Sequence, residues 1–212
     1  MRRIHATLAA VAMVFVAALT TAPPASAFAI TAGFMITSGG RWCTVSFPDP
    51  RMATIIYTAG HCYKDGITEV SLGNIQIGQF IPEIHDPTTD LIAIRLYSNI
   101  PSEYSLMSRE PLLNPWVPNE GSTVCKYGAT TQETCGTVLS VHDTKFAVQM
   151  PADHGDSGAP IYERLNPNSK GVHVVGTVTS EDPHRPGVIY CTTIGAIRTF
   201  LSHTWGAGWE ME

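Results

Sequence analysis

The chain has 212 residues, with 13 Lys and Arg against 18 Asp and Glu, a formal net charge of −5. That length holds one domain with a substantial core, and the acidic balance argues against nucleic acid or an anionic membrane as the main partner. Five cysteines lie outside any CxxC pair and there is no HExxH, so no metal site and no cofactor are expected.

The chain opens with Arg2 and Arg3, an apolar run of 12 residues from Leu8 to Leu19, and small residues at Ala25-Ser26-Ala27. This order predicts a signal peptide over 1–27, cleaved so that the mature chain starts near Phe28. A membrane anchor is the alternative, but the run is short against the roughly 20 residues a spanning helix needs. Loss of both arginines takes the net charge to 11 − 18 = −7. Export permits disulfides, and an odd cysteine count leaves one thiol unpaired or bridged between molecules.

Short strands between turn signals follow. Arg41 to Phe47 alternates, with Cys43, Val45 and Phe47 on one side. Met52–Thr58, Ile75–Ile81, Leu91–Leu96, Thr123–Tyr127, Thr137–Val141, Lys145–Gln149, Val172–Thr179 and Gly187–Cys191 also read as strands. Gly39-Gly40, Pro48-Asp49-Pro50, Asp86-Pro87 and Asn166-Pro167-Asn168 separate some of them. Pro111 to Pro118, with Trp116 inside it, reads as an ordered crossover between two halves. Ile194, Ile197, Phe200 and Leu201 recur at helical spacing and predict a late helix over 193–204. The fold class is all-β, a barrel or sandwich with a C-terminal helix.

Three motifs carry chemistry, in the order His, Asp, Ser. They are Thr58-Ala59-Gly60-His61-Cys62, Thr89-Asp90-Leu91-Ile92-Ala93 and Gly155-Asp156-Ser157-Gly158-Ala159. A serine hydroxyl needs a base within reach, and the base needs an orienting group. Ser157 is the candidate nucleophile, His61 the base and then acid, and Asp90 the carboxylate that fixes the imidazole tautomer. The amides of Gly155 and Ser157 are candidate oxyanion donors. Each motif has an ordinary alternative: Gly-Asp-Ser-Gly is also a turn, a lone histidine is more often structural, and Asp90 could be a strand-edge cap with Asp86 close by.

Together these motifs resemble the chymotrypsin-fold serine proteases, and within them the compact bacterial streptogrisin and α-lytic protease branch. The resemblance covers most of Phe34 to Phe200. It includes Val124-Cys125-Lys126-Tyr127-Gly128-Ala129-Thr130-Thr131 followed by Cys135-Gly136-Thr137. It implies two antiparallel six-stranded β-barrels with a cleft between them, the first over about 28–110 and the second over about 119–192. It also implies bridges Cys43–Cys62 and Cys125–Cys135. Lys126 stands where that branch has an internal arginine, so a Lys126–Asp156 ion pair supporting the oxyanion loop is expected. Val175 to Ser180 resembles the strand that pairs with substrate, making Val178, Thr179 and Ser180 substrate-binding candidates. Pro186 to Tyr190 resembles the strand lining the specificity pocket, with His154 at its rim and Pro151, which supplies no charge, near where relatives set the preferred side chain.

Three features depart from that pattern. The domain follows the leader almost directly, where the branch usually carries a long propeptide. Asp153 stands where a pocket disulfide would have a cysteine, so Cys191 lacks a partner and reads as a buried free thiol, a dimer bridge being the alternative. Ala159 and Pro160 follow the serine motif where a glycine is usual. Glu181 and Asp182, after the strand that resembles the substrate-pairing one, read as solvated loop carboxylates, attraction of a basic substrate side chain being the alternative. The resulting expectation is a secreted, monomeric serine endopeptidase, a hydrolase acting on polypeptide without a cofactor. An esterase with the same machinery and a silent or latent protease-like binding protein are the alternatives.

Overall fold

The structure, a computed structural model, describes residues 28–166 and 168–206. The expected signal peptide and the tail from residue 207 onward lie outside them. The chain folds as two β-barrels joined by a crossover and closed by one helix.

The first half contains β1 (Ile30–Ala32), β2 (Met35–Ser38), β3 (Arg41–Thr44), β4 (Phe47–Pro48), β5 (Ile55–Ala59), β6 (Glu69–Leu72), β7 (Ile75–Asp86), β8 (Leu91–Leu96) and β9 (Ser102–Leu106). Its sheet runs β3-β2-β6-β7-β8-β5-β4. Only Val45 and Ser46 separate β3 from β4, and their amides donate to Phe34 and Tyr57 carbonyls. β3 and β4 therefore act as one bent strand that closes a six-stranded barrel. β1 lies outside it and pairs in parallel with β9.

The second half contains β10 (Leu112–Leu113), β11 (Thr123–Gly128), β12 (Gln132–Val141), β13 (Lys145–Gln149), β14 (Pro160–Glu163), β15 (Val172–Glu181) and β16 (Val188–Thr193). Its sheet runs β10-β15-β14-β11-β12-β13-β16, and a further β15–β16 pairing closes six strands into a barrel, with β10 added at the edge. The crossover is ordered, as its composition predicts: β10 pairs with β15, the Trp116 ring stacks on His173 at 3.8 Å, and its indole N–H donates to Glu163.

Side-chain alternation explains why β5 and β8 are apolar on both faces. Ile56, Ile92, Ile94 and Leu96 point into the first barrel beside Val45, Val70 and Phe80. Ile55, Tyr57, Leu91 and Ala93 point the other way, into a core shared with Tyr162, Val172 and Val174. A strand buried on both faces reads as a continuous apolar run. The second barrel is filled by Val124, Val138, Phe146, Val148, Ile161, Val175 and Ile189.

α1 (Ile194–Trp205) packs Ile194, Ile197 and Leu201 into the shared core. Thr193, predicted as its first residue, is instead its N-cap, accepting the Ala196 N–H at 3.2 Å. At the other end the Trp205 indole donates to the Tyr57 hydroxyl, pinning the helix to the first barrel. Both disulfides form as the resemblance implies. Cys125 and Cys135 are directly opposite in the β11–β12 ladder, which is why a short bridge fits there. Cys191 is free, and fully buried in the second barrel.

Candidate active site

His61 sits in a single 3₁₀ turn, Gly60–Cys62, that leaves the end of β5. Cys62 ties this turn to β3 through Cys43. Arg41, on β3, donates from its guanidinium to the His61 carbonyl. The imidazole is thus presented from a braced turn, and its side chain is 45 % exposed.

Asp90 occupies the turn between β7 and β8, with φ 52°. Aspartate is among the few residues that accept this left-handed conformation. One carboxylate oxygen accepts the His61 backbone N–H at 2.8 Å, and the other accepts Nδ1–H at 2.8 Å. This fixes the proton on Nδ1 and leaves Nε2 as the free lone pair. The capping role falls to Asp86 instead. Its carboxylate accepts from the Thr88 and Thr89 amides and from the Thr89 hydroxyl. Burial pushes the Asp86 carboxyl up, but those hydrogen bonds outweigh it and hold it below the usual range.

Ser157 lies in the loop between β13 and β14, and strand β3 of the other barrel stitches that loop down. The Thr44 amide donates to the Ser157 carbonyl at 2.8 Å, and the Thr44 hydroxyl to the Gly155 carbonyl at 2.7 Å. Gly155 has φ 101°, and a Cβ there would meet the Thr130 hydroxyl at 2.5 Å. Gly158 has φ 86°, and a Cβ there would meet the Thr44 carbonyl at 2.4 Å. Only glycine gives both the conformation and the space. The amides of Asp153, His154, Asp156, Gly158 and Ala159 all donate inside the protein. Among the described residues, those of Gly155 and Ser157 have no such acceptor.

Beneath the loop lies the Lys126–Asp156 ion pair, at 2.9 Å with side chains 0 % and 1 % exposed. The Asp156 carboxylate also accepts from the Thr131 hydroxyl and the amides of Thr130, Thr131 and Asp153. Lys126 donates to the Thr131 hydroxyl as well. Burial alone would raise the Asp156 carboxyl; the Thr131 and Lys126 hydrogen bonds and the lysine charge overcome it and hold it low.

His61, Asp90 and Ser157 line one cleft of about 910 Å³ between the barrels. Val178, Thr179, Ser180, His154 and Tyr190 line it too. Ala152 rather than Pro151 forms the wall beside His154. A second recess of about 420 Å³ adjoins Ser157 on the side of Arg41 and Trp42. Among the described residues no hydrogen bond holds the Ser157 hydroxyl, which lines both cavities. Glu181 lines the cleft, but Asp182 is not a solvated carboxylate. It accepts from the His184 amide, Arg185 and the Tyr190 hydroxyl, first the amide and then Arg185 drawing its pKa down to about 2. Sequence reasoning missed His85, Lys145 and Arg41. No local motif marks them, and only the folded register brings His85 and Lys145 to the cleft and Arg41 to the adjoining recess.

Two closed antiparallel barrels with this cleft define a protein of the chymotrypsin fold. Solved structures of that fold agree: *Thermobifida fusca* protease A superposes with a TM-score of 0.65 at 23 % identity, over 84 % of this chain and 97 % of that one. *Cellulomonas bogoriensis* chymotrypsin gives 0.63 at 21 %, over the same shares. By sequence, the chain belongs to the family of the uncharacterized protein Rv1815 of *Mycobacterium tuberculosis*. The two are 32 % identical over 197 residues, 84 % of this chain and 85 % of that protein. No family model matches the chain.

Proposed function

We propose that this protein is a secreted serine endopeptidase, monomeric and independent of a cofactor, with a mature domain beginning near residue 28. The observation that carries the reading is the pair of 2.8 Å bonds from His61 to Asp90, in a cleft that Ser157 also lines.

Nε2 of His61 takes the Ser157 hydroxyl proton as Oγ attacks the scissile carbonyl. The resulting oxyanion is received by the two spare amides, Gly155 and Ser157. His61 then returns the proton to the departing amine, leaving an acyl-enzyme. Water, deprotonated by His61, attacks that ester; Ser157 regains its proton and the acid product leaves. Asp90 stabilises the imidazolium without itself becoming protonated. The latch of Lys126 and Asp156 holds the donor loop in place, with no need of a cleaved N-terminal amine. An extended substrate adds a strand along Val178 to Ser180, with His154 at the rim of the side-chain pocket. The neighbours named above are a protease and a chymotrypsin, and this supports a polypeptide substrate.

The unbonded Ser157 hydroxyl favours a second reading, a silent or latent protease-like binding protein. Loose catalytic hydrogen bonds are nonetheless common before substrate binds. The test is cleavage of a denatured protein and of small esters by the mature chain and by Ser157→Ala. Peptide products from the parent alone support the endopeptidase. Ester turnover without peptide products leaves an esterase, and neither leaves the binding protein.

A further inference from the structure

Resting on the triad reading above, we propose that Lys145 and Thr192 are positioning residues for the Asp90 carboxylate: a two-bond chain in the second barrel ends in one hydrogen bond that holds the peptide preceding Asp90. Lys145 and Thr192 are cross-strand partners in the β13–β16 ladder. The Lys145 ammonium donates to the Thr192 hydroxyl at 2.7 Å, and that hydroxyl donates to the Thr89 carbonyl at 2.5 Å. The second bond crosses between the barrels. Thr192 is fully buried and Thr89 nearly so.

The chemistry gives this chain a direction. A hydroxyl rotates freely, but an ammonium group is a donor only. The Lys145 ammonium occupies one lone pair of the Thr192 hydroxyl, and the Thr89 carbonyl can only accept, so the hydroxyl turns its proton toward Thr89. The Asp90 carbonyl, one peptide further on, accepts the Gly60 amide at 2.8 Å. Asp90 is therefore gripped through the carbonyls on both sides of it: one from the His61 turn, one from the second barrel. That grip sits on a residue in the left-handed region, φ 52°, where an unconstrained chain would relax.

Lys145 is also charged where charge costs. It is half-buried and forms no ion pair among the described residues. Burial pulls its amine below the ordinary lysine range, while the negative fields of the Asp90 and Asp86 carboxylates oppose that pull. A solvated lysine would avoid the cost, and the site keeps it beside the Asp86–Asp90 turn. Lys145 lines the cleft as well, so contact with substrate is the competing role.

The test uses the full mature chain with Lys145→Met, Thr192→Val and Thr192→Ser. For the cleaved substrate, Lys145→Met and Thr192→Val should lose roughly ten- to a hundredfold in kcat, the penalty of a slightly misplaced group. KM should stay within about twofold, the mark of a contact that acts only in the transition state. Thr192→Ser, which keeps the hydroxyl, should recover most of the loss. A second readout needs no turnover. In the Ser157→Ala background, the low-field proton resonance of the His61–Asp90 hydrogen bond should weaken in Lys145→Met and Thr192→Val and persist in Thr192→Ser. A parental kcat in folded Lys145→Met, a loss confined to KM, or an unchanged resonance overturns the proposal. A parent that hydrolyses nothing sinks the endopeptidase reading alone, and the resonance still decides this one.

Discussion

Lys126→Met removes one half of the ion pair beneath the oxyanion loop. Both partners are excluded from solvent, so the Asp156 charge is left inside the protein without its cation. Breaking a buried pair from one side typically costs about 3–5 kcal/mol. The four hydrogen bonds that remain on the carboxylate, from Thr130, Thr131 and Asp153, place the expected loss at the lower end. For a domain of this size about 3 kcal/mol lowers Tm by roughly 6–12 °C. Asp156→Asn gives no escape, although it is isosteric. All its neighbours are donors, so the new amide N–H groups would face other N–H and O–H groups. The assay is urea unfolding followed by far-UV circular dichroism, with the rate of active-serine labelling measured on the same samples. The pH dependence follows from the depressed Asp156 carboxyl. Its contribution is present above the ordinary aspartate range and is lost as pH falls through the folded-state value. The parent should therefore lose stability below about pH 4 more steeply than Lys126→Met. A Lys126→Met protein with a parental urea midpoint and a parental labelling rate would refute the latch.

Three further outcomes are expected. Gly155→Ala, forced to φ 101° against the Thr130 hydroxyl, should fold but lose roughly a hundredfold or more in labelling rate as its amide turns away. Asp90→Asn should lose about 10⁴-fold in kcat with little change in Tm, because the amide favours the wrong imidazole tautomer. Cys191, whose thiol burial pushes up, should resist thiol reagents in the native state. Unfolding without reductant should then release a single titratable thiol, and three would mean that a bridge is absent.

Much of the fold was legible where the pattern was local. β8 and β13 appear with the predicted bounds, since each is a compact apolar run between turn signals. β6, Glu69–Leu72, escaped because only Val70 of its four residues is fully buried. β14 begins on Pro160, a residue that argues against a strand but is tolerated at its first position. β7 continues to Asp86, past the predicted end at Ile81, through an irregularity between Ile81 and His85 that breaks the alternation. The site divides in the same way. His61, Asp90 and Ser157 announce themselves because each lies in a short contiguous motif. The Lys145–Thr192–Thr89 chain links residues 47 and 103 positions apart, and no spacing in the sequence encodes it.

The central claim is that Ser157 is an activated nucleophile beside a formed oxyanion hole. A fluorophosphonate probe tests it most directly, applied to the folded mature protein and to Ser157→Ala, with the modified residue located by peptide mass mapping. The account predicts stoichiometric labelling of the parent at Ser157 and none of the variant. A folded parent that stays unlabelled, or carries the label elsewhere, contradicts it.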